Sequence, residues 1–249
     1  MKSRHPRALL LLAKYPEPGS VKTRLVNGTE DNGFNGLKHI RDRTGTPVGD
    51  EKAQRLAADL YRAFLTDRFR AHQVDAYHLY LGTSQPEHDT LFRAITGDNV
   101  LYQAVQGDNL GDMMNRIFKV LLDRYQRVII SGSDFPYVSE SIVEQVFYQL
   151  DSDDIVLVPA FDGAYNMIGM SRHHNIFRIS KWSSGSELQE TIHLLRSKQI
   201  THSVFEKTPL LDVDTIGDLR STMTTLRQEQ APVSFAVLES MRSKLQLME

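Results

Sequence analysis

The stretch LLLLAKYPEPGSVKTRL, Leu9 to Leu25, starts as an apolar run, breaks at two prolines and a glycine, and then presents Lys22 and Arg24. The apolar run is typical of a strand that is buried on both faces. A strand that ends in a loop with backbone amides and cations suits a ligand that carries phosphate. The stretch therefore predicts a phosphate site beyond the end of the first strand.

The GSVKT segment within this stretch shares a Lys-Thr ending with the P-loop of nucleotide-hydrolysing enzymes. A P-loop needs glycine directly before the lysine and another glycine five residues earlier. Val21 precedes Lys22 here, and position 16 is proline. The segment is therefore not a P-loop. We interpret it as a turn that the prolines stiffen and that presents Lys22 and Arg24.

The composition excludes several classes of protein. The chain has 249 residues, of which 41% are hydrophobic, so it can bury a full core. The net charge of −2 and the lack of a basic stripe argue against nucleic acid as a partner. Cysteine is absent, which excludes disulfides, thiolate metal sites and a cysteine nucleophile.

The basic N-terminus is followed by an apolar segment, Ala8 to Ala13, that is too short for a signal sequence or a membrane span. We therefore expect a cytoplasmic protein with no membrane span. The oligomeric state stays open, because an amphipathic stripe near the C-terminus fits packing within one chain as well as a dimer surface.

Strand-like and helix-like patterns alternate along the chain, which predicts an α/β fold with a mostly parallel sheet and helices on both faces. Helical spacing covers Glu51 to Arg70 and the run that starts at Leu110, and Ser141 with Glu144 predicts a capping box for a later helix. The predicted strands are Ala8–Ala13, Ala76–Leu81, Val100–Val105, Arg127–Ser131 and Ile155–Val158.

Residues 26–50 do not follow this alternation, since they hold five of the fifteen glycines and few apolar residues. We expect one domain, residues 1–249, with a mobile loop insertion at 26–50. The insertion fits a tolerated surface loop and a lid over a ligand equally well.

Polar turns follow four of the predicted strands. In an open parallel sheet, ligands bind beyond the carboxyl ends of the strands, so these turns should form one crevice. They are the turn with Lys22 and Arg24, QGDNLGD (106–112), GSDFP (132–136) and PAFDGAYN (159–166).

Six segments resemble, in order and spacing, a bacterial family of glycosyltransferases within the nucleotide-diphospho-sugar transferase superfamily, and the match runs from about Ala8 to Leu219 without the insertion. The resemblance implies a three-layer α/β/α sandwich of the GT-A type. There is a more distant similarity to 2-phospho-lactate guanylyltransferase-like nucleotidyltransferases. The segments are AKYPEPGSVKTRL, QGDNLGDMM, SGSDFP, PAFDGAYNMIG, KWSSGSELQET and LLDVDTIGDL.

The resemblance implies a divalent cation, Mg²⁺ or Mn²⁺, held on a nucleotide diphosphate by Asp134 and Asp214. Carboxylate oxygens suit these ions. Asp134 could instead cap the turn that follows it, and Asp214 could be the N-cap of the next helix, with Asp212 then the nearest substitute as a ligand.

The resemblance also implies a nucleotide-binding set on the first half of the chain. Gln106 can donate to and accept from a base edge, although this segment could also be a strand end followed by a helix capped by Asn109. A glycine at position 111 would allow close backbone approach to the base. The implied nucleotide-binding residues are Ala13, Lys14, Gly19, Lys22, Arg24, Gln106, Leu110, Gly111 and Ser133.

The implied acceptor-binding residues are Asp162, Gly163, Asn166 and Trp182. The chain departs from the family here, because Ala164 replaces a second glycine and Asn166 an aromatic residue. If that backbone needs a positive φ or close approach, Ala164 would narrow the pocket. Trp182, the only tryptophan, could stack on a sugar ring or pack in the core, and Ser184 with Glu187 fits a helix capping box.

Two reactions suit these residues, with a nucleotide sugar or a nucleoside triphosphate and a small-molecule acceptor as partners. In glycosyl transfer, Lys22 and Arg24 would stabilise a departing nucleoside diphosphate while Asp162 orients or deprotonates the acceptor. In nucleotidyl transfer, the same cations would stabilise the α-phosphate as pyrophosphate leaves. We favour glycosyl transfer, and the departures at Ala164 and Asn166 keep a non-catalytic nucleotide-sugar binding protein as a third hypothesis.

Overall fold

The computed structural model describes residues 5–30, 35–179, 182, 184–205 and 211–247. A single sheet of seven strands runs through these residues, in the order β3-β2-β1-β4-β6-β5-β7. The strands are β1 (His5–Leu12), β2 (His78–Thr83), β3 (Leu101–Ala104), β4 (Tyr125–Ser131), β5 (Ile155–Pro159), β6 (Tyr165–Met170) and β7 (His202–Val204).

The sheet is mostly parallel, which confirms the prediction from the alternating pattern. Strand β1 pairs in parallel with β2 and β4, and β6 is antiparallel to both of its neighbours, β4 and β5. The sequence pattern missed β6 and β7. Strand β6 follows β5 after a tight turn, so both ends of that turn lie at the edge where β1 and β4 end.

Helices cover both faces of the sheet, as the resemblance implied. Leu9 and Leu11 of β1 point into one apolar cluster and Ala8 and Leu10 into the other, and all four are buried. The helices are α1 (Thr23–Asn27), α2 (Asp50–Ala71), α3 (Asp89–Thr96), α4 (Leu110–Leu122), α5 (Glu140–Gln149), α6 (Glu187–Ser197), α7 (Ile216–Thr225) and α8 (Pro232–Lys244). Helices α4 and α6 contribute to the cluster with Leu10, and the other helices to the cluster with Leu9.

The helix caps follow the sequence in part. Asn109 caps α4, the alternative that the sequence left open for this segment, by accepting a hydrogen bond from the Asp112 backbone amide at 3.0 Å. The predicted capping box of Ser141 and Glu144 is wrong, because Ser139 caps α5 and Ser141 lies inside the helix. Extended backbone at Ser139 lets its hydroxyl reach the Ile142 amide, and a residue already inside the helix cannot do this.

Part of the segment 26–50 packs against the body of the protein. Leu37, Ile40 and Val48 are buried in the larger apolar cluster. The backbone of Arg41 accepts a hydrogen bond from the Gln246 amide at 2.8 Å. Residues 35–50 are thus held near the end of α8. The mobility of the 26–50 insertion stays a prediction.

The N-terminus of α8 is held by a carboxylate from α2. Asp67 is buried and accepts hydrogen bonds from the Ser234 amide and hydroxyl, both at 2.6 Å, and from the Val233 amide at 3.1 Å. A negative charge at a helix N-terminus satisfies amides that have no partner within the helix. Among the described residues, no helix is long and apolar enough to span a bilayer.

We expect Asp67→Ala to lower the free energy of unfolding by about 2–4 kcal/mol, since it leaves buried donors without an acceptor. Asp59→Ala is the matched control, because Asp59 is exposed on the same helix and should change stability by less than about 0.5 kcal/mol. Urea unfolding of both variants measures the difference. Equal stability of the two variants would show that Asp67 does not anchor α8.

Candidate functional site

A cavity of about 620 Å³ lies at the carboxyl ends of β1 and β4 and beside the turn from β5 to β6. The structure therefore brings together the turns that the sequence placed at one edge. Predicted site residues that line it are Ala13, Lys14, Lys22, Arg24, Leu110, Ser133, Asp134, Asp162, Asn166, Trp182 and Asp214. Four predicted residues, Gly19, Gln106, Gly111 and Gly163, do not line this cavity.

Lys22 lies at the centre of the charged part of the cavity. Its ammonium is 2.7 Å from Asp134 Oδ1 and 3.4 Å from Asp214 Oδ1, and it donates to the Asp134 carbonyl at 3.1 Å. Its side chain is 1% exposed. Burial alone would lower the pKa of Lys22, but the charges of Asp134 and Asp214 outweigh burial and raise it. Lys22 is therefore a fixed cation.

The backbone of Lys22 adopts a left-handed conformation, with φ of 50° and ψ of 37°, directly before α1. This region is unfavourable for a residue with a Cβ atom. The contacts of the ammonium group with Asp134 and Asp214 oppose that cost. The local strain aims the side chain inward, towards the carboxylates.

Arg24 is the second cation of the turn and is more accessible. Its guanidinium is 3.4 Å from Asp214 Oδ2, and its side chain is 55% exposed. Asp214 is not the N-cap of α7, because Thr215 fills that position in a capping box with Asp218. The Asp214 carboxylate is thus free of a capping role and faces the two cations.

Asp212 is a third carboxylate in the same place. The Val213 amide, next to it, donates to the Asp134 carbonyl at 3.1 Å, which joins this loop to the end of β4. Burial, with help from the charge of Asp134, raises the pKa of Asp212 to about 8, although Lys22 opposes the shift. Asp212 Oδ1 is buried without a hydrogen-bond partner.

Asp134, Asp212 and Asp214 form an oxygen donor set of the kind that Mg²⁺ or Mn²⁺ prefers. The unpartnered oxygen of Asp212 fits the same role. In the part of the chain that the structure describes, however, no three such side chains are arranged around a common metal position. Lys22 Nζ lies between the carboxylates of Asp134 and Asp214. The oxygen atoms therefore suit a divalent cation, but the ammonium group occupies the position between them.

Most backbone amides of the turn from β1 to α1 already have partners. The Glu17 and Ser20 amides bond to carbonyls within the turn, at 2.8 and 3.0 Å. The Tyr15 amide donates to Gln85 Oε1 at 2.8 Å, and the prolines at 16 and 18 have no amide hydrogen. The amides of Tyr15, Glu17 and Ser20 are therefore committed to the protein, and Lys22 and Arg24 are the cations that the turn presents to the cavity.

Tyr61 of α2 belongs to the cavity wall, and the sequence pattern did not single it out. Its buried hydroxyl lies 2.7 Å from Ser133 Oγ, which in turn donates to the Leu12 carbonyl at 2.6 Å. Its ring lies 5.7 Å from the Lys22 ammonium. This chain of contacts joins the ends of β1 and β4 beneath Lys22, and it commits the Ser133 hydroxyl to the protein itself.

Packing within the protein, rather than a ligand, explains the glycine at position 111. A Cβ atom there would lie 2.5 Å from the Trp182 indole and 2.8 Å from the Phe177 carbonyl. Trp182 is half-buried and packs on the smaller apolar cluster while still lining the cavity. It therefore combines the packing role and the ligand-facing position that the sequence left as alternatives.

The turn between β5 and β6 is tightly packed on the segment before α6. Gly163 has φ of +86°, and a Cβ atom there would lie 2.1 Å from the Gly185 carbonyl oxygen. Among the described residues that are not glycine, only Lys22 and Gln199 have a positive φ. Ala164 thus adopts an ordinary backbone conformation, and the substitution for glycine introduces no strain there.

Glu187 is a further cavity residue that the sequence assigned to a helix cap. The residue is 2% exposed, and its Oε1 accepts a hydrogen bond from the Ser184 amide at 2.8 Å. Its other oxygen, Oε2, is buried without a partner. The predicted capping box is only half formed, because α6 begins at Glu187 with Ser186 as an N-cap that makes no side-chain bond, and the bond from the Ser184 amide accounts for one of the two carboxylate oxygens.

Comparison with known proteins agrees with this fold. A family described as "Uncharacterized protein conserved in bacteria (DUF2064)" matches residues 66–184. A crystal structure from Desulfovibrio desulfuricans G20, provisionally named a nucleotide-diphospho-sugar transferase, is 27% identical, covers 96% of each chain and has a TM-score of 0.76. The resemblance to nucleotide-diphospho-sugar transferases that the motifs indicated is thereby confirmed. No curated protein matches the sequence.

More distant structures include one protein solved with CTP and one solved with manganese. CMP:2-keto-3-deoxy-manno-octonic acid synthetase with CTP is 13% identical, with a TM-score of 0.49 over 90% of this chain and 99% of its own. A Mycobacterium tuberculosis protein in complex with manganese is 16% identical, with a TM-score of 0.47 over 90% of this chain and 100% of its own. Scores this low add nothing to the assignment.

Proposed function

We propose that this protein is a divalent-cation-dependent glycosyltransferase that uses a nucleotide-diphosphate sugar as donor and a small molecule as acceptor. The observation that carries the proposal is the pairing of Lys22 with Asp134 and Asp214 at the carboxyl edge of the sheet. A cation surrounded by carboxylates suits a ligand that brings both a diphosphate and a metal ion. The name given to the Desulfovibrio desulfuricans protein supports the same class.

The turn from β1 to α1 differs from a glycine-rich triphosphate loop, which commonly wraps phosphates in several free backbone amides. Here the amides of Tyr15, Glu17 and Ser20 have protein partners, and two residues are prolines. Nucleotidyl transfer, which would use the same cations, is the second candidate.

In glycosyl transfer, each side chain of the cavity would have a separate role. Lys22 and Arg24 bind the diphosphate and neutralise the charge that it gains on leaving. The acceptor hydroxyl oxygen forms the new bond to the anomeric carbon, the bond from that carbon to the diphosphate oxygen breaks, and the electron pair stays on the diphosphate. Asp162, in the turn after β5, takes or orients the acceptor proton.

The cation would be held by Asp134 and Asp214, with Asp212 beside them, and when bound it supplies further positive charge to the diphosphate oxygens. Lys22 would exchange its carboxylate partners for phosphate oxygens when the donor enters. Nearby Ser133 and Tyr61 keep the two strand ends together during this exchange.

The proposal is tested by a thermal-shift panel of nucleoside triphosphates, nucleoside diphosphates and nucleotide sugars, each with and without Mn²⁺, followed by product analysis with the best binder. Metal-dependent stabilisation by a nucleotide sugar, with release of a nucleoside diphosphate, is the expected result. Stabilisation by a triphosphate with pyrophosphate release would favour nucleotidyl transfer. Binding of a nucleotide sugar without turnover would favour a binding protein.

A further inference from the structure

We infer that Glu187, Tyr165 and Thr191 form an acceptor subsite that binds a hydroxyl group of a polyol or sugar. The inference rests on the proposed function, because it names the class of acceptor that the same cavity takes. Tyr165 is the first residue of β6, and Glu187 and Thr191 lie on the first two turns of α6.

Each of the three side chains has a buried polar atom that makes no well-formed hydrogen bond. These atoms are Tyr165 Oη, Glu187 Oε2 and Thr191 Oγ1, and the Tyr165 and Thr191 hydroxyl groups are near enough to interact with each other. Native proteins pair nearly all of their buried polar groups, because each unpaired group costs free energy. The unpaired carboxylate oxygen of Glu187 beside these two hydroxyl groups indicates a site whose partner is a ligand.

The three groups are neighbours. Glu187 and Thr191 are one helical turn apart on α6, so they share a face of the helix. Burial raises the pKa of Tyr165, the contact with the Thr191 hydroxyl lowers it, and the charge of Glu187 raises it further. Glu187 and Tyr165 line the cavity and Thr191 does not, so a ligand group that enters from the cavity meets Glu187 and Tyr165.

The donors and acceptors select the kind of ligand. A carboxylate oxygen only accepts hydrogen bonds, whereas the hydroxyl groups of Tyr165 and Thr191 can donate or accept. A hydroxyl group of the ligand can donate to Glu187 and accept from one of the other two. The Trp182 ring lies on the same cavity wall, where an aromatic face can cover the apolar face of a sugar ring.

The local charge also fits an uncharged acceptor. The positively charged residues among the described lining are Lys14, Lys22 and Arg24, which belong to the turn after β1. Glu187 at the start of α6 and Asp162 in the turn after β5 add negative charge to the lining. An anionic acceptor would be repelled there, whereas a neutral polyol would not.

Trp182 is the only tryptophan of the chain and lines the cavity, so tryptophan fluorescence reports on ligands that bind there. The experiment titrates methyl α-D-glucopyranoside, methyl β-D-galactopyranoside, sorbitol and glycerol, first into the protein alone and then with Mn²⁺ and the best nucleoside diphosphate. We expect at least one of these polyols to change the Trp182 emission in a saturable way.

Glu187→Gln tests the unpaired carboxylate oxygen directly. The glutamine carbonyl can keep the hydrogen bond from the Ser184 amide, while its NH₂ group replaces the acceptor Oε2 with a donor. We expect polyol affinity to fall about 10- to 100-fold, with the melting temperature nearly unchanged. Glu190→Gln, one turn away on the same helix, is the control and should leave the titration as in the wild type.

Tyr165→Phe and Thr191→Val test the cost of the unpaired groups. Each removes a buried hydroxyl without changing the volume much, so we expect unchanged or higher melting temperatures together with weaker polyol binding. Lower melting temperatures with unchanged binding would show that the two residues serve only the fold, and would overturn the inference.

The remaining outcomes also decide the question. Unchanged polyol affinity in Glu187→Gln would overturn the subsite, and so would saturable binding of ethanolamine but of no polyol, since it would indicate an amine acceptor. If a nucleotide sugar binds but no polyol binds in either state, the subsite fails while the proposed function stands. If polyols bind but no nucleotide does, the proposed function fails instead.

Discussion

Asp134→Asn is expected to abolish metal-dependent nucleotide binding and to lower turnover of a nucleotide sugar by about 10²- to 10³-fold. The substitution removes one negative charge and changes little else. The backbone carbonyl of Asp134 still accepts from the Val213 amide and from Lys22. The ends of β1 and β4 therefore keep their connection, and the variant should fold.

The stability of this variant separates a binding role from a structural one. Burial and the charge of Asp134 both disfavour the ionised form of Asp212. Removing the charge of Asp134 makes Asp212 easier to ionise but costs an ion pair with Lys22. We expect the melting temperature without metal to change by only a few degrees, whereas the stabilisation by Mn²⁺ with nucleotide should be lost.

Asp98→Asn is the matched control, since Asp98 is exposed and lies away from the cavity. Thermal-shift curves with and without Mn²⁺ and nucleotide sugar, together with turnover, compare the two variants. A metal-dependent shift in Asp134→Asn equal to that of the wild type would contradict the assignment of Asp134 to the cation.

The sequence predicted the half of the site that depends on strand ends. Lys22 and Asp134 follow buried apolar strands, and parallel strands end at the same edge, so their proximity needs no further information. Asp214 comes from a loop much later in the chain, and only the resemblance to a family placed it there. The distance of 3.4 Å between Lys22 and Asp214 confirms their proximity, while their roles stay predictions.

The other half of the site could not be predicted because its residues also satisfy ordinary structural patterns. Glu187 fits a helix cap, and its Oε1 does make the corresponding bond. Tyr61 fits the apolar face of α2, and its contact with Ser133 joins residues 72 positions apart. Tyr165 opens a strand whose glycine and asparagine hide the alternating pattern. A second role of such a residue becomes visible only in the structure, which shows the hydrogen-bond partners of each buried polar atom.

Lys22→Met is expected to separate metal binding from catalysis. The buried ammonium group compensates the charges of Asp134 and Asp214 in the free protein. Without it the carboxylates repel each other, and we expect the free energy of unfolding to fall by about 1–3 kcal/mol. The loss is smaller than for a fully buried pair, because both carboxylates reach solvent.

The same variant should bind Mn²⁺ more tightly, by about tenfold or more, because a cation no longer competes with the ammonium group for the two carboxylates. Mn²⁺ alone should therefore raise the melting temperature of Lys22→Met more than that of the wild type. Turnover of a nucleotide sugar should nevertheless be lost, since the departing diphosphate has lost its buried cation.

Two further variants test whether loss of the ammonium group causes the tighter Mn²⁺ binding. Lys22→Gly also removes the ammonium group but relieves the left-handed backbone strain, so its melting temperature should exceed that of Lys22→Met while its Mn²⁺ response stays the same. Lys119→Met, on the exposed face of α4, should behave as the wild type. Isothermal titration with Mn²⁺ measures the affinities, and equal or weaker binding in Lys22→Met would show that Lys22 and the metal do not share the space between Asp134 and Asp214.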